Sequence, residues 1–224
     1  MWIVDFFRSA LGKKAVMAVT GVVLFGFVLG HMIGNLKLYQ GPEKLNGYAA
    51  ALREVGAPFL AHGEALWIAR LVLLAAVVLH ILAAWQLTLI NRRARPVAYV
   101  KQVSVASTYA SRTMRWGGVI ILFFVVYHLL HLTFGSVHPD FRAEDVYRNV
   151  VVGFQNPVVS LFYMLAQLAL GLHLYHGLWS FFQSLGMSGP RLDVLRRRFA
   201  VLFALVITAG NLSFPLAVLS GMVS

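Results

Sequence analysis

The chain has 224 residues, of which 59% are hydrophobic and only 12% are charged. A soluble domain of this size has roughly a quarter charged residues, so the composition excludes an ordinary globular protein and a disordered one. Because cysteine is absent, the chain has no disulfide, iron–sulfur cluster, thiolate catalysis or covalent c-type haem of its own. Membrane topology explains the formal net charge of +11 better than nucleic-acid binding does, since the basic residues flank apolar segments.

Long segments without charge predict five transmembrane helices, because about 20 apolar residues are needed to cross the hydrocarbon core. Five stretches without Lys, Arg, Asp or Glu contain 22, 21, 24, 42 and 26 residues: 15–36, 71–91, 116–139, 149–190 and 199–224. The predicted spans are 15–38, 65–90, 112–135, 157–185 and 199–221. The first is too long for a cleavable signal peptide. The expected fold is therefore an all-α, five-helix membrane bundle that forms a single domain over residues 1–224.

The basic residues predict the orientation of this bundle. Five spans place the two termini on opposite sides of the membrane. One side carries 13 basic residues against 2 acidic ones, and the other side carries 6 of each. The positive-inside rule then places the N-terminus in the cytoplasm and the C-terminus outside. We expect a multi-pass protein of the bacterial inner membrane.

Six of the eight histidines fall inside the predicted spans, and each of the first four spans carries at least one. They are His31, His80, His128, His131, His173 and His176. Ionisable residues at this depth are costly and usually face the interior of a bundle. One such histidine alone is most simply an interhelical hydrogen bond, but the distribution over four helices favours a shared function.

Depth sorts the histidines into pairs. At a rise of 1.5 Å per residue, His31 and His128 lie roughly 10 Å below the outer surface, about seven residues before the ends of their spans. His80 and His173 lie in the inner half. Two bis-histidine haems stacked across a membrane require this layout. Zinc and proton relays would usually add cysteine or carboxylate groups, and the spans contain neither.

Two histidine pairs at a spacing of three residues leave the ligands open on sequence grounds. The ligand is His128 or His131 in the third span, and His173 or His176 in the fourth, because three residues change the height by only about 4.5 Å. The spare histidine of each pair would then bond a haem propionate, a quinone carbonyl or a neighbouring helix.

A series of short motifs resembles the cytochrome b558 subunit of succinate dehydrogenase/fumarate reductase, in the form with one five-helix subunit and two haems. The motifs are Met17–Gly21, Gly30-His31 with Asn35, Leu79-His80, Asn91–Pro96, Ser111–Met114, His128 with His131, Asn156-Pro157 and Leu172–Gly177. In this family, one histidine from each of the first four helices is an axial ligand, and the helices pair first with third and second with fourth. The resemblance implies iron ligation by His31 with His128 (outer haem) and by His80 with His173 (inner haem).

The resemblance also implies a function and partners. The protein would be the non-catalytic anchor of respiratory complex II, carrying electrons between an iron–sulfur subunit and a membrane quinone through two b haems. A flavoprotein partner would perform the succinate chemistry of the tricarboxylic acid cycle. Both partners are expected on the cytoplasmic side, where the basic face, especially segment 91–115, would bind the iron–sulfur subunit. Family analogy favours menaquinone over ubiquinone.

Polar residues outside the four predicted ligands are weaker candidates. Lys14, Ser111 and Arg112 lie at inner helix ends, where they are placed to meet the propionates of the haem. Glu54, in the first outer loop, is a candidate for carrying protons to a quinone, as are His131 and His176. The alternative functions are the dihaem cytochrome b subunit of a hydrogenase or formate dehydrogenase, or a haem-free proton-coupled transporter.

Overall fold

The protein is described by a computed structural model that covers residues 2–94, 109–184, 186–187 and 189–224. Within these residues the chain is helical and contains no strand. The α-helices are α1 (Trp2–Arg8), α2 (Ala10–Asn35), α3 (Pro42–Ala51), α4 (Glu64–Arg93), α5 (Tyr109–Leu132), α6 (Val146–Gln155), α7 (Pro157–Ser184) and α8 (Pro190–Leu219). A short 3-10 helix, Leu36–Gln40, continues α2. Five of the helices, α2, α4, α5, α7 and α8, are long and apolar enough to cross a membrane, which confirms the predicted fold class.

The helix bounds agree with the predicted spans except where polar sequence continues a helix. The fifth helix begins at Pro190, nine residues before the predicted start at 199, with proline in its first turn. Likewise α2 begins at Ala10, where the Ser9 hydroxyl accepts a hydrogen bond from the Gly12 amide at 3.1 Å. Hydropathy marks only the part of a helix that lies in hydrocarbon, whereas backbone hydrogen bonding continues into the interface.

The two ends of the bundle differ in charge. One end carries the first turns of α2, α5 and α8 and the last turns of α4 and α7, and we call it the basic end. The loop end carries the 3-10 helix, α3, α6 and the C-terminus. On α8, the Arg196 side chain is only 6% exposed and its Nη2 lies 2.7 Å from Asp193 Oδ1. The neighbouring Arg191, Arg197 and Arg198 are exposed.

The packed core lies between α2, α5, α7 and α8. Ile207 and Ala200 of α8 are fully buried there. Small residues allow close helix contact: a Cβ on Gly171 would lie 2.2 Å from Thr208 Oγ1 on α8. The outward faces carry exposed apolar side chains such as Leu71 on α4, as contact with lipid requires.

The loop end is closed by an arch that sequence patterning did not predict. Asp145 caps α6 by accepting a hydrogen bond from the Arg148 amide at 3.0 Å. The side-chain amide of Asn46 on α3 donates to Asp145 Oδ1 at 2.9 Å and accepts from the Tyr147 amide at 3.0 Å. The Tyr147 hydroxyl in turn donates to the Ser224 carbonyl at 3.2 Å. These bonds tie α3, α6 and the C-terminus together above the spans.

Candidate functional site: paired histidines inside the bundle

The structure places the four predicted ligands in two facing pairs. The ring centroids of His31 on α2 and His128 on α5 are 5.9 Å apart, and we call these two residues the loop-end pair. The centroids of His80 on α4 and His173 on α7 are 6.4 Å apart and form the basic-end pair. Each pair joins two helices that are not consecutive spans. The structure therefore brings the residues together in the combination that depth and the family resemblance predicted.

Two glycines show how far apart the pairs lie along the bundle. A Cβ on Gly21 of α2 would lie 3.6 Å from Cε1 of His80, and a Cβ on Gly118 of α5 would lie 3.8 Å from Cε1 of His173. On both helices the loop-end histidine follows ten residues later. Ten residues of α-helix rise about 15 Å. On both α2 and α5 the glycine lies beside the basic-end pair and the histidine belongs to the loop-end pair. The two pairs are therefore about 15 Å apart along the bundle.

A hydroxyl fixes the tautomer of His80. Its Nδ1 lies 3.1 Å from Thr20 Oγ1 on α2. The Thr20 hydroxyl donates its own proton to the Val16 carbonyl at 2.8 Å, so its oxygen accepts a hydrogen bond from His80 Nδ1–H. The Nε2 atom of His80 consequently carries a free lone pair. An imidazole in this tautomer is ready to bind a metal through Nε2.

A second hydroxyl, on Tyr163 of α7, lies between two histidines of α5. The Tyr163 oxygen is 3.3 Å from His128 Nδ1 and 2.9 Å from His131 Nδ1. Tyr163 is 5% exposed and His131 only 1%. Of the roles open to His131 from sequence, the observed contact is the one with a neighbouring helix. Tyr163 was absent from the sequence prediction, because no local pattern marks a residue 35 positions away from its partner.

His138, in the segment between α5 and α6, packs on the far side of His131. The two rings are stacked with centroids 5.0 Å apart. His138 Nδ1 accepts a hydrogen bond from the Asp140 amide at 3.0 Å, so Nε2–H donates to the Asn149 carbonyl at 2.8 Å. Both nitrogens of His138 therefore already have hydrogen-bond partners. His131 Nε2, in contrast, has no hydrogen-bond partner among the described residues.

The weaker predicted site residues lie apart from the two pairs. Glu54 forms an exposed ion pair with His62, with Oε1 and Nδ1 2.6 Å apart. Lys14 is exposed at the basic end. Ser111 and Arg112 belong to the first turns of α5, but their side chains lie outside the described part of the protein. His176, one turn beyond His173, has a buried Nδ1 without a hydrogen-bond partner among the described residues.

The residues of the two pairs fit haem b. Bonds of about 2 Å from imidazole nitrogens to a metal between them would separate the ring centroids by roughly 6 Å, close to the observed 5.9 and 6.4 Å. Along α2, a Cβ on Gly26 or Gly30 would meet nothing within 4 Å, so no other described group packs against the helix at these two positions. Among the described residues, no group of three or more His, Asp or Glu side chains is arranged to hold a bare metal ion. Each pair offers two facing imidazoles, which suits a cofactor that takes only two ligands from the protein.

Five apolar helices with facing histidine pairs between them define a multi-pass helical membrane protein. Of the paired histidines, His31 is exposed and the other three are half-buried. A family model described as the succinate dehydrogenase/fumarate reductase transmembrane subunit matches residues 89–212, which is more than half of the chain. The chain belongs to this family, as its motifs predicted. The matched region contains His128 and His173, whereas His31 and His80 precede it. Comparison with curated proteins and comparison with solved structures give no match.

Proposed function

We propose that this transmembrane subunit is a dihaem cytochrome b that carries electrons between the iron–sulfur subunit and a membrane quinone. The observation that carries the proposal is the pair of facing histidines at each of two levels, about 15 Å apart along the bundle. Haem b, when bound, supplies a reversible one-electron iron couple at each level. The loop-end pair would hold one haem and the basic-end pair the other. The chain contributes the axial imidazoles, the apolar surroundings that exclude water, and the hydroxyls that orient the rings.

The basic end is proposed to face the cytoplasm and to bind the iron–sulfur and flavoprotein subunits. The charge split of the sequence supports this orientation through the positive-inside rule. On α8, Asp193 is already paired with Arg196, so the exposed Arg191, Arg197 and Arg198 present an excess of positive charge. An acidic surface on the iron–sulfur subunit would complement this face. The segment 91–115 would extend it; residues 95–108 of that segment lie outside the described structure.

Quinone exchange is proposed near the loop-end pair, with menaquinone as the favoured quinone by family analogy. The Glu54–His62 pair at the loop end supports this placement, because its carboxylate and imidazole contact each other and are both exposed to the aqueous phase. Lys14, Ser111 and Arg112 remain the proposed partners of the propionates at the basic end. His176 is proposed as a secondary candidate there, on the ground of its unpartnered Nδ1.

Haem content and optical spectra of the purified complex test this function. We expect a reduced-minus-oxidised spectrum of b haem and two haems per chain. The absence of b haem would contradict the dihaem function. Topology is tested by reporters placed at Ser224 and in the segment 91–115, which should report opposite sides of the membrane. Soluble partners bound on the extracytoplasmic side would contradict the proposed orientation.

A further inference from the structure

The two histidine pairs share one feature of their hydrogen bonding and differ in another. In each pair, one imidazole has a hydroxyl on Nδ1: Thr20 for His80 and Tyr163 for His128. The Thr20 proton goes to the carbonyl of its own helix, so that contact ends there. The Tyr163 hydroxyl, by contrast, has a second imidazole partner, because it also lies 2.9 Å from Nδ1 of His131 on the same helix as His128.

Metal binding at His128 would give the Tyr163 contacts a single direction. A neutral imidazole has one N–H and one acceptor nitrogen. If Nε2 of His128 binds iron, Nδ1 carries the proton and donates it to the Tyr163 oxygen. The tyrosine O–H must then donate to His131 Nδ1, which leaves His131 with its proton on Nε2. The reverse direction would put a proton on His128 Nε2 and block the metal.

His138 does not extend this chain. Its Nδ1 is occupied by the Asp140 amide and its Nε2–H by the Asn149 carbonyl, so it offers no acceptor to His131. Packing holds His131 in place instead. A Cβ on Gly153 of α6 would lie 2.7 Å from His131 Cε1, so the ring fits tightly against that helix. The chain of hydrogen bonds therefore begins at His128, passes through Tyr163 and ends at His131.

We propose that Tyr163 is a positioning residue that sets the orientation and donor strength of His128, and that His131 strengthens Tyr163 in this role. The inference rests on the proposed dihaem function. A hydrogen bond from the distal N–H of a ligating histidine raises the basicity of the ligand and stabilises the ferric state. Donation by the tyrosine to His131 polarises its oxygen and makes it a better acceptor. The hydroxyl at the loop-end haem thus leads on to a second histidine, whereas the Thr20 hydroxyl at the basic-end haem leads to a backbone carbonyl.

The expected effect of losing this element is a higher reduction potential at the loop-end haem alone. A hydrogen bond of ordinary strength changes the ratio of ferric to ferrous haem about three- to tenfold at a fixed potential. For a one-electron couple the tenfold limit corresponds to about 59 mV. Tyr163→Phe keeps the ring that packs against Phe124 and Phe154, at centroid distances of 5.0 and 4.9 Å, so the change is confined to the hydroxyl.

Redox titration of the complex, followed by optical and electron paramagnetic resonance spectra, tests the proposal. Tyr163→Phe should raise the potential of the loop-end haem and alter its low-spin ferric signal. His131→Phe should shift the same haem in the same direction by a smaller amount. Thr20→Val is the matched control, because it removes the hydroxyl on His80 and should shift only the basic-end haem.

Three results would overturn the proposal. The first is Tyr163→Phe with both haems retained and the loop-end potential and signal unchanged. The second is a shift of the basic-end haem by Tyr163→Phe. The third is an unchanged potential of the loop-end haem in His131→Phe. This variant tests the proposal even if Tyr163→Phe loses the loop-end haem. Absence of b haem from the unmodified complex would contradict the proposed function instead, so the two failures are distinguishable.

Discussion

Replacement of single histidines provides the most direct test of how the two haems would be held. We expect His31→Ala and His128→Ala each to lose the loop-end haem and keep the other one. His80→Ala and His173→Ala should each lose the basic-end haem. The two members of a pair should therefore leave the same residual spectrum and the same residual potential, because their rings face each other at 5.9 or 6.4 Å.

The separation of the pairs determines the size of this effect. Because the levels are about 15 Å apart along α2 and α5, losing one site should leave the other intact, and haem content should fall from two per chain to about one. The pyridine haemochrome assay on the purified complex measures this content. Loss of the basic-end haem should also prevent reduction of the loop-end haem by succinate, since electrons would enter from the basic end. An artificial acceptor should still support succinate oxidation by the partner subunits.

Control variants make this experiment decisive. His62→Ala changes an exposed histidine at the loop end and should keep two haems. His131→Ala and His176→Ala should also keep two. If His131→Ala lost a haem while His128→Ala kept both, the ligand on α5 would be one helical turn away from the assigned residue. A shared residual spectrum for His31→Ala and His80→Ala would refute the pairing itself.

Three further changes test the surroundings of the site. Gly118→Val places a branched side chain beside His173, because even a Cβ at this position would lie 3.8 Å from His173 Cε1. Haem analysis should show loss of the basic-end haem alone. Gly171→Ala should lower the unfolding temperature measured by circular dichroism, because its Cβ would lie 2.2 Å from Thr208 Oγ1. Adding Thr208→Ala should restore most of the lost stability, and a double variant without any restoration would contradict this contact. Asp145→Ala removes the cap of α6 and should cost about 1 kcal/mol at pH 7. The hydrogen bond from the Asn46 side chain is the main cause that lowers the pKa of Asp145. The stabilisation by the Asp145 carboxylate is therefore present above the ordinary pKa of an aspartate and is lost as the pH falls below that value. An equal loss of stability in Asp145→Ala at pH 7 and at pH 3 would refute this.

The number of spans and the levels of the histidines follow from the sequence by itself. Whether a segment crosses the membrane depends on the summed hydropathy of about 20 neighbouring residues, which is a local property. Depth is equally local, because each residue of a helix rises by 1.5 Å whatever it packs against. His31 and His128 could therefore be placed on one level, and His80 and His173 on another, before any contact was known.

The helix boundaries and the short connecting helices were harder to predict from the sequence than the spans. The start of α8 at Pro190 was missed because the arginines that follow it read as a polar connector. Some local signals were present nonetheless: Pro42 occupies the first turn of α3, and Asp145 precedes α6 as a typical N-cap. No local signal predicts that α3 and α6 contact each other, since the hydrogen-bonded Asn46 and Asp145 are 99 residues apart in the chain.

Only the tertiary structure decided which side chains surround the histidines. Membrane helices are apolar on every face, so their hydropathy carries little information about which face turns inward. The rotation of each helix is decided by packing, such as the close contact of Gly171 with Thr208. That rotation brings the Thr20 hydroxyl to His80 and the Tyr163 hydroxyl between His128 and His131. The residues that orient the proposed ligands are thus a product of helix packing, whereas the levels of the ligands are a product of local sequence.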